Sequence, residues 1–166
     1  MDEVKVGKDV LTLVSESVEA TRAIAARLGR RASAGDVICL EGELGAGKTT
    51  FIQGMGEGMG IDAPITSPSF VLVREYPGGE GRLPLYHIDL YRIGSVQEAL
   101  LLGLEDYLYG EGISAIEWAE KVAELLPGER LWVRLKYWGE GKRKLFFWAR
   151  GERYLSLLEE VREGCS

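Results

Sequence analysis

Asparagine is absent from the 166-residue chain, histidine occurs once, cysteine twice and proline five times. Without asparagine there is no Asn-Lys-x-Asp element, the means by which guanine-specific hydrolases read their base. The two cysteines, Cys39 in an apolar run and Cys165 next to the last residue, form neither a metal spacing nor a disulfide framework. A reduced cytoplasm is therefore the expected setting. No apolar stretch nears the roughly 18 residues of a membrane span, and "MDEVKVGKDV" lacks the apolar centre of a signal peptide. Positive charge is also short: the net charge of −6 argues against general coating of nucleic acid.

What remains is the composition of a soluble globular protein, 46% hydrophobic and 28% charged. Its length predicts one domain over residues 1–166. Charge is unevenly spread. Residues 130–153 hold eight basic and two acidic side chains, a balance of +6 that leaves −12 for the remainder. Either a solvated hairpin face or a surface for an acidic partner would account for it.

Periodicity gives the elements. "DVLTLVS" (9–15) predicts a strand, and "SVEATRAIAARLGRRA" (17–32) an amphipathic helix capped by Ser15 or Ser17. "GDVICLEG" (35–42) is a buried central strand, followed by a glycine loop and a helix over 48–60. Three glycines inside that helix weaken it, so packing must hold it. A loop around Pro68 leads into a strand by residue 76, then a turn (77–84) and a strand over 85–92. A helix over 95–109 is interrupted at Gly103, "GISAIEW" (112–118) is another buried strand, and two strands flanking "GEGK" form a second hairpin. A helix over 152–163 closes the pattern. Together these predict an α/β fold of the P-loop NTPase type: a mixed sheet with helices on both faces and antiparallel hairpins.

The chemistry is concentrated in "LEGELGAGKTTF" (40–51). Gly42 and Gly47 bracket Glu43, Leu44, Gly45 and Ala46, and Lys48-Thr49 follow, satisfying G-x-x-x-x-G-K-[ST]. The glycines let successive amides point inward as a nest, and the following helix, with Thr50 in its first turn, adds its positive end. Lys48 supplies charge for the outer phosphates and the Thr49 hydroxyl a ligand for Mg²⁺. Because Mg²⁺ takes one or two carboxylates, an acid is expected at the end of a nearby strand. Asp89 ends "LYHID" and Glu117 ends "ISAIE". With a guanine-reading element missing, adenine is the expected base. A small-molecule kinase is the alternative, with Arg74, Arg82 or Arg92 as its lid residues, although no compact lid is evident.

In order and spacing, "GELGAGKTTF", "ITSPSFVLVREY", "LYHIDLYR", "LGLEDYL" and "AIEWAE" resemble the TsaE (YjeE) family over residues 10 to about 150. The resemblance implies an ATPase that works with the TsaB–TsaD pair in forming threonylcarbamoyladenosine beside the tRNA anticodon. Direct contact with tRNA stays open, with indirect contact the leading expectation. The resemblance further implies ATP or ADP with Mg²⁺ on Thr49 and Glu117, and Asp89 nearby as a water-positioning or base residue. Lys48, Asp89 and Glu117 would carry the hydrolysis. Ser69 stands where the family usually has threonine in a switch-like loop facing the γ-phosphate. Trp118 matches an aromatic of the nucleotide pocket or of the core, Thr21 a position near the adenine, and Arg143 a residue reaching phosphate or ribose. Two further features stay open. His87 is either a structural residue or a proton shuttle beside Asp89. The aromatic cluster of Trp132, Tyr137, Trp138, Phe146, Phe147 and Trp148 is either hairpin packing or, with its interleaved basic residues, a contact surface for tRNA or a protein partner.

Overall fold

The computed structural model describes residues 9–67, 72–78 and 81–163. The elements are β1 (Asp9–Ser15), α1 (Val18–Arg30), β2 (Val37–Glu41), α2 (Lys48–Met59), β3 (Val73–Tyr76), β4 (Leu85–Asp89), α3 (Val96–Leu101), α4 (Leu104–Leu108), β5 (Ile113–Glu117), a 3-10 helix (Ala119–Leu125), β6 (Arg130–Gly139), β7 (Lys142–Arg150) and α5 (Glu152–Glu163). Ser69 and Cys165 lie outside the described residues.

One sheet orders the strands β1-β7-β6-β2-β5-β4-β3. Its centre is parallel: β2 pairs with β5 and β6, and β4 pairs with β5. Antiparallel strands extend it on both sides, β3 on β4, β7 on β6, and β1 on β7. The expected mixed sheet with hairpins is what forms. Every residue of β5 is buried, as a central parallel strand covered on both faces requires.

Alternation along the strands divides the core. Ile38, Leu40, Ile113 and Ala115 pack under α1, α2 and α5 through Leu28, Phe51, Met55 and Leu157. Val37, Cys39, Ile88 and Ile116 face the other way, against Ala99, Leu104 and Val122 of α3, α4 and the 3-10 helix. Helices thus cover both faces, though on the second face they stop at Trp132 of β6.

The glycines of α2 explain how a poor helix former is held. A methyl group at Gly54 would lie 2.5 Å from the Arg22 carbonyl oxygen, and one at Gly58 would lie 2.1 Å from that of Ala26. Gly29 of α1 reciprocates against the Met55 carbonyl oxygen at 2.1 Å. The two backbones meet almost directly, so close packing offsets the propensity that the glycines forfeit. Ser17 is the cap of α1, its hydroxyl accepting from the Ala20 amide at 3.0 Å, while Ser15 donates to the Ser17 carbonyl. Gly103, at φ +77°, separates α3 from α4 at the expected interruption.

Candidate nucleotide-binding site

The parallel strands β2, β5 and β4 end at one edge of the sheet, where ligands of open α/β folds bind. From β2 the chain enters the glycine loop. A side chain at Gly42 would meet the Leu135 carbonyl oxygen at 2.7 Å, so β6 presses the loop inward. Gly47 takes φ +103° and caps α2 with no side chain. The first amides of that helix are thereby left for an anion, with the helix dipole behind them.

Lys48 begins α2 and is buried. Its ammonium donates to the Gly42 carbonyl and to the Glu43 carbonyl at 3.0 Å, and lies 4.3 Å from the centre of the Trp118 ring. Burial pulls its pKa below the ordinary lysine value, against the pull of Glu117, Glu120, Asp89 and Glu43. Trp118 reaches this position because its backbone adopts φ +63°, a left-handed turn uncommon for a bulky residue, directly after β5.

Asp89 and Glu117 stand opposite one another in register at the ends of β4 and β5. Glu117 Oε2 accepts from the Thr49 hydroxyl at 3.0 Å and contacts His87 Nε2 at 2.6 Å. Asp89 accepts from the Ser67 hydroxyl at 3.3 Å through Oδ2 and from the Tyr91 amide at 3.0 Å through Oδ1. Arg143 crosses from β7 to brace the loop, donating from Nε to the Ala46 carbonyl at 2.8 Å and from Nη2 to the Gly45 carbonyl at 3.0 Å.

These groups converge on a cavity of about 440 Å³. Leu44, Gly45, Gly47, Lys48, Thr49, Thr50, Asp89, Glu117, Trp118 and Arg143 all line it. Gly42, Glu43 and Ala46 instead face a second cavity of about 520 Å³ across the loop, where Trp118 is shared between the two. Thr21 is not brought into either cavity. It is buried, with its hydroxyl 2.6 Å from that of Ser15 and 3.3 Å from the Ser17 carbonyl, inside the α1 cap. Leu72, Tyr91 and Arg92 line the first cavity without having been singled out as nucleotide contacts. Tyr91 and Arg92 lie just beyond Asp89 in "LYHIDLYR", and that adjacency was the available signal.

The donor set is a hydroxyl and two carboxylates beside an amide nest. Among the described residues no group of three or more His, Cys, Asp or Glu side chains gathers as a metal cage. Such a set suits Mg²⁺, which keeps waters and takes phosphate oxygens, better than a transition metal.

A profile described as threonylcarbamoyl adenosine biosynthesis protein TsaE matches residues 15–145. A Bacillus subtilis protein described as tRNA threonylcarbamoyladenosine biosynthesis protein TsaE is 46% identical over 143 residues, covering 86% of this chain and 88% of its own length. A Nostoc protein of the same description is 49% identical over 130 residues, 76% of this chain and 78% of its own. The crystal structure of Bacillus subtilis YdiB superposes with a TM-score of 0.81 at 40% identity, covering 95% of this chain and 97% of that one. The phosphate loop, both acids and the aromatic after Glu117 all fall within the matched residues, and the chain belongs to the TsaE family.

Proposed function

We propose that this chain is a cytoplasmic, Mg²⁺-dependent ATPase of tRNA threonylcarbamoylation, acting with the TsaB–TsaD pair as a single domain. The observation that carries the reading is the 3.0 Å contact between Thr49 and Glu117, which joins the phosphate loop to an acid 68 positions away in the chain. ATP would lay its phosphates along the amides of residues 43–49, with Lys48 facing the outer two. Thr49 and Glu117 would hold Mg²⁺ directly or through water, with Asp89 beside them. Once bound, the ion would polarise the phosphate oxygens and spread the developing charge.

The remaining work is positioning. Asp89, fixed by Ser67 and the Tyr91 amide, is suited to orient a water in line with the terminal phosphate. Trp118 shields Lys48 from solvent. Arg143 is committed to loop carbonyls, so it has little left to stabilise a transition state. Slow intrinsic turnover that rises with partners is the expected behaviour.

Phosphate release from the protein alone and with TsaB–TsaD tests this reading; brisk release unaffected by partners would defeat it. Glu117→Ala should abolish the Mg²⁺ dependence of ATP affinity, whereas Asp89→Ala should spare binding and suppress hydrolysis. The opposite pattern would exchange their roles. Arg92 at the cavity wall is the one feature that favours a small-molecule kinase. Phosphoryl transfer to a metabolite acceptor, with no free phosphate formed, would establish that alternative.

A further inference from the structure

The cluster under the helices on the second face ends at Trp132, with half-buried Trp148 on its margin, and further out Lys136 and Trp138 of β6, Arg150 of β7 and Thr12 and Val14 of β1 are exposed. Alternation identifies the open side. Leu11, Leu13, Leu135, Leu145 and Phe147 point into the core, whereas Thr12 and Val14 of β1 are exposed. On that open side Arg134 stands opposite Phe146 and Lys136 opposite Lys144 in register, with Trp148 and Arg150 further along β7. Phe146 and Trp148 lie stacked at 6.0 Å and 24°. Lys144 Nζ lies 4.3 Å from the ring centre of Trp138, which is 49% exposed.

Like charges directly opposite across a strand pair destabilise a sheet. Here Lys136 faces Lys144, and Arg130 faces Arg150. Among the described residues the side chains of Arg134, Lys136 and Arg150 make no ion pair or hydrogen bond. Acids meet this face only at its margins, Glu41 standing in register with Arg134 and Glu16 pairing with Lys142. Cations interleaved with aromatic rings, one of them exposed, suit a ligand that brings both negative charge and flat apolar surfaces. An acidic polypeptide supplies only the first.

We propose that this open face binds an unpaired stretch of RNA, with phosphates on Arg134, Lys136, Lys144 and Arg150 and bases stacked on Trp138, Phe146 and Trp148. Stacking on aromatic side chains beside a cationic track is how unpaired strands are held without sequence preference. Such contact would favour the direct alternative that the sequence left open over the indirect one it led with. It goes beyond the ATPase reading and does not depend on it, because Trp138, Lys144, Phe146, Trp148 and Arg150 line neither cavity, although Arg134 and Lys136 reach the second.

The test is fluorescence anisotropy on the full chain with a labelled, unstructured RNA dodecamer, and with the same strand annealed to its complement. The single strand should bind more tightly than the duplex, with a log–log salt slope of about −3 for four phosphate contacts. Lys144→Glu with Arg150→Glu should weaken binding at least tenfold, and exposed Trp138→Ala roughly tenfold. ATP affinity by calorimetry and the melting temperature should be unchanged in both; if the double reversal melts early, Lys144→Gln replaces it. No binding at 50 mM salt, a preference for the duplex, or variants that bind like the parent would each overturn the proposal. So would loss of TsaB–TsaD capture by the variants when the parent fails to bind RNA, which would make the face a protein-docking surface.

Discussion

His87, the only histidine, is fully buried and donates from Nε2 to Glu117, since an ionised carboxylate can only accept. Nδ1 has no partner among the described residues, which is consistent with that tautomer. Glu117 Oε2 thus receives two donors, Thr49 and His87, and its carboxylate is held before any cation arrives. His87→Leu should therefore weaken the Mg²⁺-dependent part of ATP affinity by about 10–100-fold and leave metal-free binding intact. His87→Gln, which can present an amide N–H at a similar reach, should restore most of it. Titration calorimetry with Mg²⁺ and with chelator separates the two; equal losses under both conditions would reduce His87 to a packing residue. This contact was not legible in the sequence, where His87 stands beside Asp89. It depends on the register of β4 against β5, which brings together residues 30 positions apart. The loop residues and both acids were legible, because each is marked locally by a glycine pattern or an apolar strand end. The left-handed turn at Trp118 carried no such mark.

At the scale of elements, α1 and α2 give a prediction whose sign runs against helix propensity. Gly54→Ala should gain up to about 1 kcal/mol of propensity. The added methyl would also fall 2.5 Å from the Arg22 carbonyl, a backbone atom that can yield only if the helices separate. Overpacking of this kind costs about 1–3 kcal/mol, so urea denaturation should show net destabilisation. A stabilised variant would mean that the helix contact is looser than described. The sequence signalled that packing had to hold this helix but not what packed against it, since small residues leave no hydrophobic period. The 3-10 helix after Trp118 was missed for a related reason: seven residues give too short a pattern to register. The strands, the hairpin over 130–150 and the break at Gly103 were readable from alternation and turn residues.

Across the whole molecule, buried acids set the response to alkali. Burial pushes the Cys39 thiol from 9.0 up to about 12, with Arg130 opposing, and the Tyr154 phenol from 10.0 up to about 12, with the Val37 amide opposing. Both groups hold their protons in the folded state at pH values where the unfolded chain releases them. Stability from these sites is therefore complete below about pH 9 and declines as pH rises toward 12. Lys48, held low by burial, has the opposite sign and blunts part of the loss. Urea midpoints should fall between pH 8 and 11. Tyr154→Phe should start about 1 kcal/mol lower, having lost the Val37 contact, and fall less steeply above pH 10; an equally steep curve would clear Tyr154 of the effect.

The first strand pairs with the last, Ser15 opposite Arg143, and Arg143 is the residue that pins the glycine loop. On the ribosome the loop and its helix emerge before their anchor, which lies 97 positions further along the chain. Pairings so distant close late in folding. A growing chain would thus carry a slack, unanchored loop, and competence for ATP would arrive only once β7 has been made and paired.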